Sequence, residues 1–230
     1  PGRIVKDYVN FIDFAPTFLE LAGLNAEEAG MQPITGKSLV DIFYSDKSGQ
    51  VTAYRDHVLI GKERHDVGRP NDQGYPIRGI VKGGYLYLKN YEPERWPAGN
   101  PETGYLNCDG SPTKTWILND RRARGSSDYW DGAFGKRSAE ELYFIEKDPE
   151  CMHNMATVPG LGEIKISLKK QMEQELNDQG DLRMSGMGHA YEDFTYMDKK
   201  NQMFYNRYMA GEKLRAGWVE KTDFEQDPIE

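Results

Sequence analysis

The chain has 230 residues, with 29 Lys and Arg against 37 Asp and Glu, for a formal charge of −8. That length holds one large domain or two modest ones, and the acidic balance argues against a surface built to track phosphate backbones, so nucleic acid is not an expected partner. Aromatic residues make up 12% of the chain, with 14 Tyr, too many for a disordered polymer, and no run approaches the ~18 apolar residues that a membrane span needs.

Pro1-Gly2-Arg3 opens the chain without Met and without the apolar core of a signal peptide, which suggests a piece of something longer. Two Cys are too few for a disulfide framework. Tyr8 to Ile12 reads as a short strand or extended lead-in. Asp13 is placed to cap a helix whose apolar residues Phe14, Phe18 and Leu21 follow at i, i+4 and i+7, with Pro16 in its first turn and Gly23 past its end. A short helix is expected between Lys37 and Tyr44.

The middle of the chain is β-like. His57 to Gly61 has the pattern of a buried strand, and Ile77–Val81 with Tyr85–Leu88 forms a predicted hairpin around Lys82-Gly83-Gly84. Tyr91 to Lys114, with four Pro and three Gly, promises little regular structure, and a loop of that length is often functional or tied to a neighbour. Short helices follow at Pro112–Leu118 and Asp128–Phe134, then a strand at Glu141–Ile145. Leu161, Ile164, Leu168, Met172 and Leu176 mark an amphipathic helix that Gly180 ends, and the last 50 residues are aromatic, Met-rich and charged, with helical potential at Asn201–Lys213. The pattern as a whole is α+β, with helices outside a small antiparallel sheet of three or four strands.

Few constellations carry chemistry. Cys151-x-His153 is the one close Cys/His pair, no second pair stands at zinc spacing, and no calcium loop is present. Neither a Gly-x-Ser-x-Gly elbow nor a phosphate-binding glycine loop occurs. What stands out is Glu63-Arg64-His65-Asp66-Val67-Gly68-Arg69, which concentrates two guanidinium groups and an imidazole directly after a strand. Arg forks suit sulfate, carboxylate and phosphate oxygens, and a protonated His donates to an anion. Arg78 and Arg95 extend such a patch, and Trp96 offers a face for a sugar ring. The plainer alternative is a solvated loop with internal Glu–Arg pairs. For the aromatic tail, an oligomer arm or a wrap around a partner stands against a packed C-terminal extension.

Several segments resemble one family. Pro1-Gly2-Arg3-Ile4 and Phe11-Ile12-Asp13-Phe14-Ala15-Pro16-Thr17-Phe18-Leu19-Glu20-Leu21-Ala22-Gly23 are similar to the stretch that follows the catalytic core of formylglycine-dependent sulfatases, members of the alkaline-phosphatase-like superfamily. Thr35-Gly36-Lys37-Ser38-Leu39 resembles their next motif, and Glu140-Glu141-Leu142-Tyr143 with Lys147-Asp148-Pro149-Glu150 and Asn154-Met155-Ala156 resembles a later strand and turn. Gly61 to His65, Tyr75 to Arg78, Asn90 to Gly99, Asp109 to Lys114 and Phe134 to Arg137 look like bacterial enzymes grouped with heparan N-sulfatase, N-sulfoglucosamine sulfohydrolase.

The resemblance implies glycosaminoglycan degradation by hydrolysis of sulfate esters or N-sulfo groups, and a periplasmic or secreted bacterial location. It implies residues 1–45 as the end of an α/β core, 46–180 as a C-terminal subdomain with an antiparallel sheet and flanking helices, and 181–230 as an extension. In such enzymes a formylglycine hydrate attacks sulfur while calcium and cationic side chains stabilise the sulfate oxygens. The formylglycine precursor is a Cys in a Cys-x-Pro/Ala-x-Arg motif, and neither Cys108 nor Cys151 has the Arg at +4. Formylglycine, calcium and the catalytic residues are therefore expected upstream of Pro1, in a partner part of the same protein. No catalytic or metal residue is assigned here, and this segment alone is expected to be inactive. A sulfated glycan is the expected substrate, met by Arg64 and His65 first and by Arg69, Arg78, Arg95 and Trp96 second. Two rivals remain open: a stand-alone anionic-carbohydrate-binding module, and a purely structural subdomain.

Overall fold

A computed structural model describes residues 2–125, 127–226 and 229. Pro1, the first residue of the opening motif, lies outside them. The sheet has four antiparallel strands in sequential order: β1 (His57–Lys62), β2 (Ile77–Lys82), β3 (Tyr85–Asn90) and β4 (Glu140–Phe144). The β2–β3 hairpin closes on Gly83 and Gly84 at φ 57° and 78°, the two consecutive positive-φ positions of the turn that matches strand twist.

Strand alternation sorts the sheet residues onto two faces. Leu59, Ile80, Tyr87 and Leu142 are aligned across the ladder on one face. The long helix packs there, contributing Leu168, Met172 and Leu176 to a core with Ile80, Tyr87 and Leu142. In the numbering used below, the helices are α1 (Phe14–Leu21), α2 (Val40–Tyr44), α3 (Pro112–Arg124), α4 (Asp128–Ala133), α5 (Gly162–Asp178), which is this long helix, and α6 (Phe204–Met209). A second core gathers Trp96, Tyr105, Leu118, Trp130 and Phe134 where α3 and α4 meet the irregular 91–111 segment. A third joins Val67 and Leu106 to Phe204 and Ala216 of the extension.

Four local expectations need correction. Phe11–Asp13 is a 3-10 turn that runs into α1, so the cap is Asn10, whose side chain accepts from Ile12 N, and not Asp13. Asp13 Oδ2 instead accepts from Asn10 N and from Arg55 Nη1 at 2.9 Å, while Oδ1 accepts from Lys37 N. Tyr8 to Ile12 consequently forms no strand. β1 is an edge strand and only half-buried, with Ile60 40% exposed, and no strand among the described residues pairs beyond it. α3 runs six residues past Leu118 to Arg124, capped by the Ser111 hydroxyl and started by Pro112.

Candidate functional site

The loop from Glu63 to Gly74 leaves β1 and returns to β2. Its base is closed by Tyr75 N donating to Glu63 O at 3.0 Å. Gly74 is required there, because a Cβ would stand 2.6 Å from the Glu63 carbonyl. At the tip, Pro70–Asp72 makes a 3-10 turn in which Asn71 takes φ 56°, a left-handed conformation that Asn tolerates better than most residues. The extension grips this tip: Met203 N donates to Asp72 Oδ2 at 2.7 Å, and Asn71 and Asn206 exchange hydrogen bonds.

The loop's cations have separate fates. His65 is exposed and makes no hydrogen bond among the described residues. Arg64 is half-buried, donating to the carbonyls of Asp72 and Phe194 at 3.2 and 2.7 Å, with its guanidinium 5.6 Å from the Tyr196 ring centroid. Arg69 is 1% exposed. It donates to the Trp96 and Pro97 carbonyls, both at 2.8 Å, and burial with Arg95 nearby pushes its pKa down to about 10. A guanidinium so enclosed organises the backbone of the 96–97 turn; it has no donor left facing solvent for a substrate.

Arg78 projects from β2 on the α5 face and is also buried. Nη2 donates to Glu63 at 2.6 Å and Nε to Asp181 at 2.5 Å, and Glu63 in turn accepts from Arg183 at 2.7 and 2.6 Å. Burial alone would lower the pKa of Arg78, but the two carboxylates outweigh it and the net direction is upward. Arg95 donates to Glu192 and to the Gly74 carbonyl. Trp96 is 8% exposed, with the edge of Trp130 on one side and the Lys136 ammonium 5.1 Å from its centroid. These geometries give Arg69, Arg78, Arg95 and Trp96 a structural task, in contrast to the substrate contacts that their positions in the sequence suggested.

Arg64 and Arg69 are thus committed to main-chain carbonyls, Arg78 is paired with Glu63 of the loop and Asp181 of the extension, and Arg95 is paired with Glu192 of the extension. Asp181, Arg183, Glu192 and Tyr196 are the residues that sequence reasoning missed. Their one signal was the alternation of acids and bases among the aromatics of 181–198. What remains open to solvent is His65, with Arg64 held beside it.

This chain's own residues do not fit the groups that sulfate chemistry would bring. Among the described residues no three of His, Cys, Asp and Glu converge as a cation site. Cys108 is held above the usual thiol range by burial, and Cys151 likewise, so neither is an activated thiolate. No helix among the described residues is long and apolar enough to cross a membrane.

Over 187 residues the chain is 27% identical to an ulvan-active sulfatase of Formosa agariphila, covering 81% of this chain and 32% of that protein. The chain is similar to a sulfatase. It spans about a third of the length of that curated relative. No family model matches. Among solved structures, one in complex with its substrate D-glucosamine-2-N,6-O-disulfate aligns at 17% identity and TM-score 0.44, covering 74% of this chain and 24% of that one. A 2-O GAG sulfatase aligns at 18% identity and TM-score 0.41, covering 75% and 26%.

Proposed function

We propose that this chain is the C-terminal part of a sulfatase that removes sulfate from sulfated glycans, and that it walls the substrate cleft while the catalytic groups reside upstream. The observation that carries the reading is the 187-residue similarity to the ulvan-active sulfatase, which covers most of this chain but a third of that protein. Formylglycine and calcium belong, on this reading, to the upstream part. N-sulfoglucosamine is the favoured unit, on the segments Gly61–His65, Tyr75–Arg78 and Asn90–Gly99, and the enzyme works in the periplasm or outside a bacterial cell.

A surface of residues 1–45 supports an upstream partner. Phe11, Phe14 and Phe18 form a ladder of rings with centroids 5.4 and 6.2 Å apart. Phe11 is 83% exposed and Phe18 66%, and Phe43 and Tyr44 are exposed as well. A patch of this kind marks an interface. Its polar side is already committed, since Asp13, Thr17, Lys37 and Arg55 bond one another and Asn10 Nδ2 reaches the Leu59 carbonyl of β1. The apolar side is left for the α/β core.

The test is sulfate release from ulvan and from N-sulfated heparan oligosaccharides by the complete gene product and by this chain alone. Release by the complete protein and none by the chain is expected. Turnover by the 230-residue chain, or none by the complete protein on either glycan, overturns the reading. A second reading, a purely structural subdomain, is favoured by the pairing of Arg69, Arg78 and Arg95 within the chain. It expects His65→Ala to leave turnover unchanged.

A further inference from the structure

The sheet face opposite α5 carries a cleft of about 480 Å³, within the range of roughly 300–1,000 Å³ that small-molecule sites occupy. β2, β3 and β4 supply one wall, and α4 with the Lys136–Ser138 turn and the 150–154 turn supply the others. Ile77, Leu88, Pro97, Ala133 and Met152 make part of the lining apolar. The remainder is a polar cluster that includes Asn90, Arg137 and the carboxylates Glu141 and Glu150.

Glu141 is 2% exposed and anchors that cluster. It accepts from Arg137 Nη2 at 2.6 Å, from the Tyr143 hydroxyl and from Asn90 Nδ2 at 2.6 Å. Asn90 Nδ2 also donates to the Ser138 carbonyl at 2.6 Å, which fixes the amide orientation. With its nitrogen committed, Asn90 turns an oxygen that accepts from nothing, although the residue is 3% exposed. Tyr75 is 1% exposed, and its hydroxyl is likewise without a partner. Buried polar atoms without partners are costly, and these two belong to residues that line one cleft, where hydroxyl groups of a ligand or of water would satisfy them. At the rim, Lys136 is exposed and has no carboxylate within ion-pair distance among the described residues.

We propose that this cleft binds a hydroxyl-rich sugar unit bearing one acidic group, a carboxylate or a sulfate. Asn90 Oδ1 accepts from one sugar hydroxyl and Tyr75 exchanges a hydrogen bond with another. The apolar lining meets the C–H face of the ring, and Lys136 meets the acidic group. Both oxygens are shut off from bulk water, so binding requires the side chains packed over them to move. The inference rests on the reading of the complete protein as a glycan sulfatase, for which it assigns a subsite away from His65. The cleft adjoins the loop through Arg69, whose guanidinium holds the Pro97 carbonyl and lies over the Tyr75 ring.

Titration calorimetry on the complete protein tests this with D-glucuronate, glucosamine 6-sulfate and D-glucose. Lys136→Glu reverses the rim charge and Met152→Trp fills the mouth; both positions are exposed, so both variants fold. At least one of the two acidic sugars should bind more tightly than glucose, and the tighter one identifies the acidic group. Lys136→Glu should weaken that sugar roughly tenfold, because a charge-assisted hydrogen bond becomes a like-charge contact. Met152→Trp should weaken all binding. Affinities unchanged in both variants, or glucose bound as tightly as either acid, overturn the proposal. Sulfate release by the wild-type protein is measured in parallel. Release together with variant-insensitive sugar binding removes the cleft and keeps the sulfatase, whereas variant-sensitive binding without release does the reverse.

Discussion

Arg64 donates from Nη2 to the main-chain carbonyl of Phe194, 2.7 Å away in space and 130 residues later in the chain. Beside this bond the Tyr196 hydroxyl donates to Asp66 at 2.8 Å, so the extension supports the residues flanking His65 and leaves the imidazole free. His65→Ala should therefore change stability by no more than about 0.5 kcal/mol, as expected for an exposed side chain without partners. On the proposed reading of the complete protein as a sulfatase, the same change should reduce its kcat/KM on a sulfated glycan. Urea unfolding and steady-state kinetics on one preparation check both statements, and a fully active variant removes His65 from the cleft.

Arg69 should behave in the opposite way. Its removal leaves the carbonyls of Trp96 and Pro97 buried without donors and opens space beneath the Tyr75 ring. Arg69→Ala should cost about 2–4 kcal/mol, the scale of several lost charged hydrogen bonds. Arg69→Lys should recover little of it, since one ammonium cannot span both acceptors as a guanidinium fork does. Denaturant midpoints measure the loss, and a cost below 1 kcal/mol would argue that the 96–97 turn holds itself.

The contrast between His65 and Arg69 shows what the chain order reveals and what it hides. The Gly83-Gly84 hairpin and the Leu168/Met172/Leu176 stripe of α5 are local patterns, and each forms where its spacing places it. Arg78 has one nearby partner, Glu63, but its second, Asp181, and the Glu192 partner of Arg95 lie 103 and 97 residues away, in a segment whose aromatic content disguised its carboxylates. A long-range ion pair has no local signature, so the cations at 78 and 95 were legible and these two distant carboxylates were not. Asp13 is a smaller case of the same kind. Its position suited a helix cap, but a buried arginine from residue 55 claims its carboxylate.

That Asp13–Arg55 pair ties residues 10–39 to the segment leading into β1. The two side chains are 8% and 4% exposed, and Arg55 Nη2 adds bonds to the Lys37 and Ser38 carbonyls. Asp13→Ala leaves the guanidinium buried and unpaired, and should cost about 3–5 kcal/mol. Burial alone would raise the Asp13 pKa, but donation from Asn10, Lys37 and Arg55 outweighs it and holds the carboxyl below its usual range. The wild-type segment should thus stay docked down to acid pH, loosening as pH falls below the ordinary carboxyl value. Proteolysis within residues 24–36 as a function of pH reports this directly.

Glu140 on β4 sets a second acid limit. It accepts from the Tyr87 hydroxyl at 2.7 Å and from Lys169 and Lys165 of α5 at 2.9 and 3.0 Å. Burial opposes the charge, but these donors dominate and lower the pKa from 4.5 to about 2. A carboxyl depressed in the folded state contributes stability that is full above its unfolded pKa and is lost as pH falls through the folded value. The contribution, on the order of 3 kcal/mol at neutral pH, should disappear between about pH 5 and 2. Glu140→Gln should remove most of it at pH 7 and flatten the pH dependence of unfolding in that window, whereas an unchanged profile would mean that α5 is held by its apolar stripe alone.

The end of the extension is fastened by Lys114 and Asp223, which are 1% and 0% exposed. The ammonium donates to the carbonyls of Gly104 and Cys108 at 2.8 and 2.6 Å and lies 3.3 Å from Asp223 Oδ2. Among the described residues, one carboxylate oxygen of Asp223 has no partner. Burial pulls the Lys114 pKa down even though Asp223 pulls the other way, so the pair is held at a desolvation cost. Either single change, Asp223→Ala or Lys114→Met, strands a buried charge and should cost about 3–5 kcal/mol, whereas removing both strands none. The double variant should therefore unfold at a urea concentration above that expected from adding the two losses, with a coupling of about 1–3 kcal/mol. Asp223 Oδ2 also accepts from Glu220 N at 3.0 Å, so Asp223→Ala removes a turn cap together with the ion pair, while Lys114→Met leaves the Gly104 and Cys108 carbonyls without their donor. Additive losses would place the hold on residues 204–225 in the apolar contacts of Phe204, Ala216 and Phe224 instead.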